Sequence, residues 1–345
     1  AKGAGSYTVT PTVNTLSASN YDFALADGLL TINKATLTVR ADDKQKTYDG
    51  QVYSGFTTTI TGFVNGETSS VISGSAGFTG AGTTAKGAGS YTVTPTVNTL
   101  SASNYDFSFA NGLLTINKAT LTVRADDKQK TYDGQVFSGF TTTITGFVNG
   151  ENSTVVSGSA LITGASTSTR SAGEFVIVPS LGTLQAANYQ FQMTNGKFIV
   201  QKALLTVAAD NKTKIYDGQP LNSFSVSITG FVAGENNSVI SGSAGFGGSA
   251  RGASGSGTYS IVPEIGTLSA DNYDFGFLNG TLAIRKATLQ VTAEPKTKTY
   301  DGRVFTAFTT AISGFVNNED LSVVSGDAAF SGSGTMATTA GSHSV

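Results

Sequence analysis

The chain lacks cysteine and tryptophan altogether and has a single histidine, His343. Without cysteine there is no disulfide, no thiolate nucleophile and no thiolate metal site. That absence fits a reducing compartment. It fits equally a large exported protein that crosses membranes unfolded, where a stray disulfide would obstruct passage. One histidine leaves no Ser/His/Asp set to assemble. His343 occupies a position held by Tyr91, Phe175 and Tyr259 at equivalent places, which reads as a core-strand position rather than a base. Charge is scarce: 13% of residues are charged, about half the usual share, and Ser and Thr carry the surface polarity. The formal net charge of -2 argues against a nucleic-acid surface, which would be basic and clustered. No run of 18 apolar residues exists, so no membrane-spanning helix is expected. No signal peptide is visible either.

What the chain does have is repetition. Tyr-Asp-Gly falls at Tyr48-Asp49-Gly50, Tyr132-Asp133-Gly134, Tyr216-Asp217-Gly218 and Tyr300-Asp301-Gly302, 84 residues apart each time. A second signature, Asn-Tyr, falls at Asn20-Tyr21, Asn104-Tyr105, Asn188-Tyr189 and Asn272-Tyr273. Residues 1–84 and 85–168 differ at only 11 positions. Such a period defines the domain organisation before anything else. Residues 1–35 are the C-terminal part of a repeat. Complete repeats follow at 36–119, 120–203 and 204–287, and 288–345 is a truncated one. The chain begins and stops inside the repeat and is expected to be an excerpt of a longer array. An 84-residue module is marginal alone. It is long for a solenoid unit and suits a bead on a string better.

Within a repeat the hydrophobic pattern has period two. Leu121, Val123 and Ala125 alternate with Thr122 and Arg124. Phe140 to Phe147 is β-branched and aromatic. Phe175, Ile177 and Pro179 alternate, as do Tyr189, Phe191 and Met193, and Phe198 and Val200 close the module. Val155 and Val156 lead into Ser157-Gly158. Asn195-Gly196 is expected to turn the chain, and Leu184 to Asn188 to form one helical turn. About seven short strands predict an all-β array of small immunoglobulin-like β-sandwich modules forming an elongated rod. A β-grasp-like module is the alternative. Leu100, Asn104 and Tyr105 suggest a corner tyrosine bonding back to the backbone. Ile116 and Leu121 are five residues apart, an odd number, so the chain must change sheet or face at the joint. No flexible linker intervenes, and the joint is expected to be short and stiff.

Each polar constellation has two readings. Asp42, Asp43 and Asp49, recurring as Asp126, Asp127 and Asp133, could give calcium three oxygens. Asn211 and Glu294-Pro295 break that set, and the spacing is not that of a calcium loop. The alternative is a turn, with the Asp accepting backbone N–H groups, the Gly at positive φ and the Tyr at the core edge. No cofactor is expected. Lys34, Lys118, Lys202 and Lys286 sit at the joints as solvated side chains, or as partners in a Lys–Asn isopeptide crosslink using Asn104 or Asn117 with Asp106. Gln190 in place of that acid counts against the crosslink. Tyr105 and Phe107 read as core with Asn104 a cap, against an exposed tyrosine platform for carbohydrate. Phe63, Phe147, Phe231 and Phe315 cover one end of the sandwich or pack at the joint. Tracts such as Gly247 to Gly252 lack a Walker lysine and a following helix, so they read as mobile, variable loops.

The Lys-Ala-x-Leu-x-Val…Lys-x-Tyr-Asp-Gly opening and Asn-Tyr-x-Phe…Gly-x-Leu-x-Ile close resemble the YDG-type repeats of large secreted bacterial exoproteins. These are found in filamentous-haemagglutinin-like adhesins and related to MBG-type repeats. The resemblance covers nearly the whole chain. It implies a non-catalytic stalk or fibre shaft, extracellular, at the bacterial cell surface or in a biofilm matrix. Expected partners are neighbouring modules of the same chain; independently of the resemblance, the partial modules at 1–35 and 288–345 are complementary halves, so end-to-end strand complementation could build a homopolymer or lateral fibre association. The alternative is a multivalent repeat binding a surface glycan or protein. Neither nucleic-acid binding nor membrane insertion is implied, and no catalytic residue is supplied.

Overall fold

The computed structural model describes residues 3–345. It is all-β, built of repeated small β-sandwich modules in tandem, and falls into two compact units. The first comprises residues up to Lys128 with Phe137–Thr167 and Phe175–Phe198. The second comprises Gln129–Val136, Ser168–Glu174 and Ile199–Val345.

In the first unit, β1 (Gly5–Val9) and β2 (Gly28–Ile32) pair antiparallel. The repeat at 36–119 then supplies β3 (Ala35–Ala41), β4 (Lys44–Thr47), β5 (Thr58–Thr61), β6 (Gly77–Thr79), β7 (Gly89–Thr96), β8 (Tyr105–Ala110) and β9 (Gly112–Asn117). One sheet has the order β5-β3-β8 and the other β4-β9-β7-β6. Leu37 and Val39 from the first sheet and Val93 and Leu114 from the second are fully buried between them. Period-two alternation is what allows this, since every second side chain faces the opposite sheet. The arrangement is two sheets packed face to face, with no α-helix among the described residues, so the sandwich reading is the one that fits.

Two features of the topology were not legible in the pattern. First, β3 runs parallel to β8, from Ala35↔Tyr105 to Arg40↔Ala110, and β4 runs parallel to β9, from Lys44↔Leu114 to Thr47↔Asn117. The offset of 70 residues is the same in both ladders, although the chain changes sheet between them. Second, Asn-Gly is not a hairpin turn. Tyr189–Thr194 belongs to one sheet and Gly196–Gln201 to the other. Glycine is needed there for close approach. A Cβ on Gly112, Gly196 or Gly280 would lie 2.3, 2.4 or 2.5 Å from the carbonyl oxygen of Ala41, Ala125 or Ala209.

Other local expectations are corrected. Leu184–Asn188 forms no helical turn. Leu184 N–H closes a turn on Leu181 O at 3.0 Å, and Gln185 bridges Ser157. Val155 ends a 3-10 turn, Ser153–Val155, because Asn152 accepts the Thr154 N–H and caps it. His343 lies outside any strand and is exposed. Its Nε2 meets Thr339 O at 3.1 Å, copying the hydroxyl of Tyr259 on Gly255 O at 3.0 Å.

The second unit carries the same plan in the repeat at 204–287. Ala203–Ala209 lies between Val226–Thr229 and Tyr273–Leu278 in one sheet, and the other runs Lys212–Ile215, Gly280–Arg285, Gly257–Glu264, Gly245–Gly247. In the truncated repeat, Gln290–Ala293 pairs antiparallel with Thr310–Ser313.

Candidate functional site at the joint between repeats

The polar residues that recur at 84-residue spacing meet where one repeat passes into the next. In the first unit only Lys118 separates β9 from β10 (Ala119–Ala125). Ile116 and Leu121 are both buried because β9 and β10 belong to different sheets. The core does not stop at the joint. Ala41, Tyr48, Val93, Leu114, Ile116 and Ala119 of one repeat form a single buried cluster with Leu121 and Tyr189 of the next. The modules here are therefore not separate beads.

Tyr48 is 5% exposed and its ring edge packs on Tyr189 at 5.4 Å between centroids. Its hydroxyl donates to Glu151 Oε1 at 2.6 Å, while the Tyr189 hydroxyl donates to Glu151 Oε2. Tyr189 in turn accepts the Val148 N–H at 3.1 Å, and Phe147 packs edge-on against its ring at 6.0 Å. One carboxylate thus holds the Tyr-Asp-Gly tyrosine of one repeat against the Asn-Tyr tyrosine of the next. The second unit repeats the arrangement: Tyr132 donates to Glu235 Oε1 at 2.6 Å, Tyr273 to Oε2, and the rings are 5.5 Å apart. Tyr216 donates to Glu319. The hydrogen bond to Glu151, then burial, pushes the Tyr48 phenol up to about 12. Burial first, then Glu235, does the same for Tyr132.

The rest of the signature completes the contact. Asp49 accepts the Gln51 N–H at 2.9 Å and pairs with Lys46, whose hydrogen bond holds its carboxyl below the usual range. Lys130–Asp133, Lys214–Asp217 and Lys298–Asp301 match it. Gly50 has φ +73°, and a Cβ on it would lie 2.4 Å from the Asn149 side chain of the next repeat. Gly134 faces Ala233 and Gly218 faces Asn317 as closely, at 2.5 and 2.2 Å. Gly302 has φ +70° with nothing near it. Gln51 Nε2 donates to Asn149 Oδ1 at 2.8 Å. Asn188 accepts twice, from Ala88 N–H at Oδ1 (2.9 Å) and from Ala119 N–H at its carbonyl (3.0 Å). Asn272 takes Ala172 and Ala203, and Asn104 takes Ala4 and Ala35, in the same way. Tyr105 is 2% exposed, bonds to Glu67 and accepts the Val64 N–H at 3.1 Å, so it does bond back to the backbone. Asn20 and Tyr21 lie outside any strand, with Tyr21 81% exposed, and Tyr300 is 69% exposed.

Several alternatives do not match this geometry. The carboxylates offered to calcium diverge: Asp42 takes the Thr57 and Thr59 hydroxyls, Asp43 takes Arg40 and the Leu113 N–H, and Asp49 takes Lys46. Asn211 keeps the backbone contact of Asp127, the two accepting from Thr281 N–H and Lys197 N–H at 2.8 Å, while the Asp127–Arg124 ion pair has no counterpart where Ala208 replaces the arginine. Among the described residues no three acidic or histidine side chains are placed to hold a metal ion. Lys118 is exposed and donates to Ala186 O at 3.0 Å, which is not the buried setting an isopeptide bond needs. The loop at 165–170, expected to be mobile, has Ser166 buried, and Arg170 donates to Gly134 O at 3.1 Å.

Sequence reasoning passed over Glu67, Glu151, Glu235 and Glu319. The signal was available: Gly-Phe-Val-x-x-Glu recurs in all four copies while neighbouring residues vary. An invariant acid among apolar residues calls for a partner.

Fold and joint define a tandem-repeat protein of small β-sandwich modules whose distinctive polar residues serve contacts between repeats. The chain belongs to the family described as MBG domain (YGX type), whose model matches residues 37–115, 121–199, 205–283 and 289–345. A comparison with curated proteins finds no match. Solved structures similar to it include the I9–I11 tandem from titin, at 12% identity over 74% of this chain and 98% of that one, TM-score 0.19. Another is a Dscam1 isoform 9.44 fragment of four N-terminal Ig domains, at 8% identity over 72% and 73%, TM-score 0.17.

Proposed function

We propose that the chain is a structural stalk or fibre shaft of a secreted bacterial adhesin or biofilm-matrix protein, a non-catalytic spacer at the cell surface. The observation that carries this reading is the joint. Tyr48, Glu151 and Tyr189, the shared core and a single linking residue fix one repeat on the next. Residues constant from repeat to repeat are spent on contacts along the chain, not on an outward-facing site. Near-identity of repeats suits a protein in which reach is selected. Small-angle scattering on chains with one repeat added or removed tests it. The largest dimension should change by a constant increment per repeat, and an increment that shrinks with length, as in a freely jointed chain, would overturn it.

The second reading, a multivalent adhesive repeat, has one observation behind it. Val71 and Val97, Val155 and Leu181, and Val239 and Ile265 are exposed at equivalent places in three repeats. Glycan and protein arrays probed with the chain separate the readings, because a pure spacer captures nothing.

A further inference from the structure

We propose that each repeat is a tension-bearing clamp, so that the spacer resists pulling along the chain rather than merely setting a distance. This rests on the stalk reading for its biological sense, but the mechanical property stands or falls by itself. The chain enters the repeat at Ala35 and leaves it at Asn117. The entering segment β3–β4 lies parallel to the leaving segment β8–β9, with one offset of 70 residues kept from Ala35↔Tyr105 to Thr47↔Asn117. Backbone bonds flank the ladder at both ends: Ala35 N–H to Asn104 O at 3.0 Å and Tyr48 N–H to Asn117 O at 2.8 Å. At the change of sheet the Asp43 carboxylate accepts the Leu113 N–H at 2.9 Å, and so replaces the missing backbone rung.

Entry and exit therefore sit at opposite ends of two successive parallel ladders, one in each sheet, that keep a single offset. Tension drawn through the chain pulls Ala35 away from one end and Asn117 away from the other. The two segments must then slide past each other, and the rungs bear the load together. An antiparallel terminal pair would place entry and exit at the same end, where the rungs open one at a time. The repeat at 204–287 has the same construction. Ala203↔Tyr273 to Ala208↔Leu278 and Lys212↔Leu282 to Ile215↔Arg285 keep the offset, Asn211 accepts the Thr281 N–H at 2.8 Å, and Tyr216 N–H bonds Arg285 O at 2.8 Å.

Single-molecule force spectroscopy tests this on the full chain, and the absence of native cysteine makes attachment points unambiguous. Handles on Lys202→Cys and Lys286→Cys load the 204–287 repeat in shear. Handles on Lys202→Cys and Asp271→Cys peel the same ladder from one end. All three side chains are exposed, and refolding between pulls shows that each variant folds. The rupture force should be several-fold higher in shear than in peeling. Asn211→Ala, which removes the side-chain rung, should lower the shear force and leave the early peeling force unchanged. Equal forces in the two geometries would overturn the clamp, and would leave the spacer function, read by scattering, untouched.

Discussion

At the scale of single residues, the joint turns on a carboxylate that accepts from two phenols. Charge-assisted hydrogen bonds of this kind are the strong ones. Tyr132→Phe removes one donor from Glu235 and should cost about 1.5–3 kcal/mol, read as a lower urea midpoint for the transition that includes that joint. Alkali should act at the same place. Tyr48 and Tyr132 are held protonated in the folded chain, with phenols raised from 10 to about 12. Their contribution is complete below pH 10 and is lost as pH climbs through about 12. Tyrosinate absorbance from Tyr48 and Tyr132 should accordingly develop only as pH nears about 12, with loss of near-ultraviolet dichroism accompanying it. Ser166 illustrates the converse. It is fully buried, and its hydroxyl has no hydrogen-bond partner among the described residues. Gly82 and Ala250 hold the equivalent positions. Ser166→Ala should stabilise the chain by about 1 kcal/mol in the same urea titration, since an unsatisfied hydroxyl is removed from the interior.

At the scale of elements, the change of sheet is the point most sensitive to substitution. Gly112 lies against the Ala41 carbonyl, and a Cβ there meets backbone rather than a side chain that could swing away. Gly112→Ala should destabilise by about 1–3 kcal/mol. Hydrogen exchange should show the loss in both sheets of the repeat, because β3–β4 and β8–β9 cross between them at this point. The same crossing explains why Asn-Gly does not turn the chain back on itself. The dipeptide is a strong hairpin signal when its flanking strands pair with each other. Here the flanking strands continue in one direction and pair with others. Local sequence states that glycine is required. It does not state whether the requirement is positive φ or the nearness of another backbone.

At the scale of the whole molecule, the question is how far one repeat depends on the next. In the first unit Leu121 of one repeat and Val93 and Leu114 of its predecessor occupy one buried cluster. Leu121→Ala should cost about 2–5 kcal/mol. It should also lower hydrogen-exchange protection at Val93 and Leu114, across the repeat boundary. Independent beads would confine the loss to 120–203. The compact units point the same way. The Tyr-Asp-Gly loop at 129–136 and the loop at 168–174 group with the residues that follow 199, although by sequence they belong to the repeat at 120–203.

The sequence by itself determined the repeat and the strand content, and left sandwich and β-grasp for the tertiary structure to decide. A period of 84 needs no structure to be seen, and period-two alternation commits each strand to two faces. It also required a change of sheet or face at the joint, because the odd spacing of Ile116 and Leu121 cannot bury both on one flat strand. Tertiary structure decided the rest: the parallel pairing of entering and leaving segments, and the meeting of Tyr48 with Glu151. Those contacts join residues 70 and 103 positions apart. Alternation assigns a side chain to a face but carries no information about which strand lies beside it. The glutamate's role appears only once a second repeat supplies its other tyrosine.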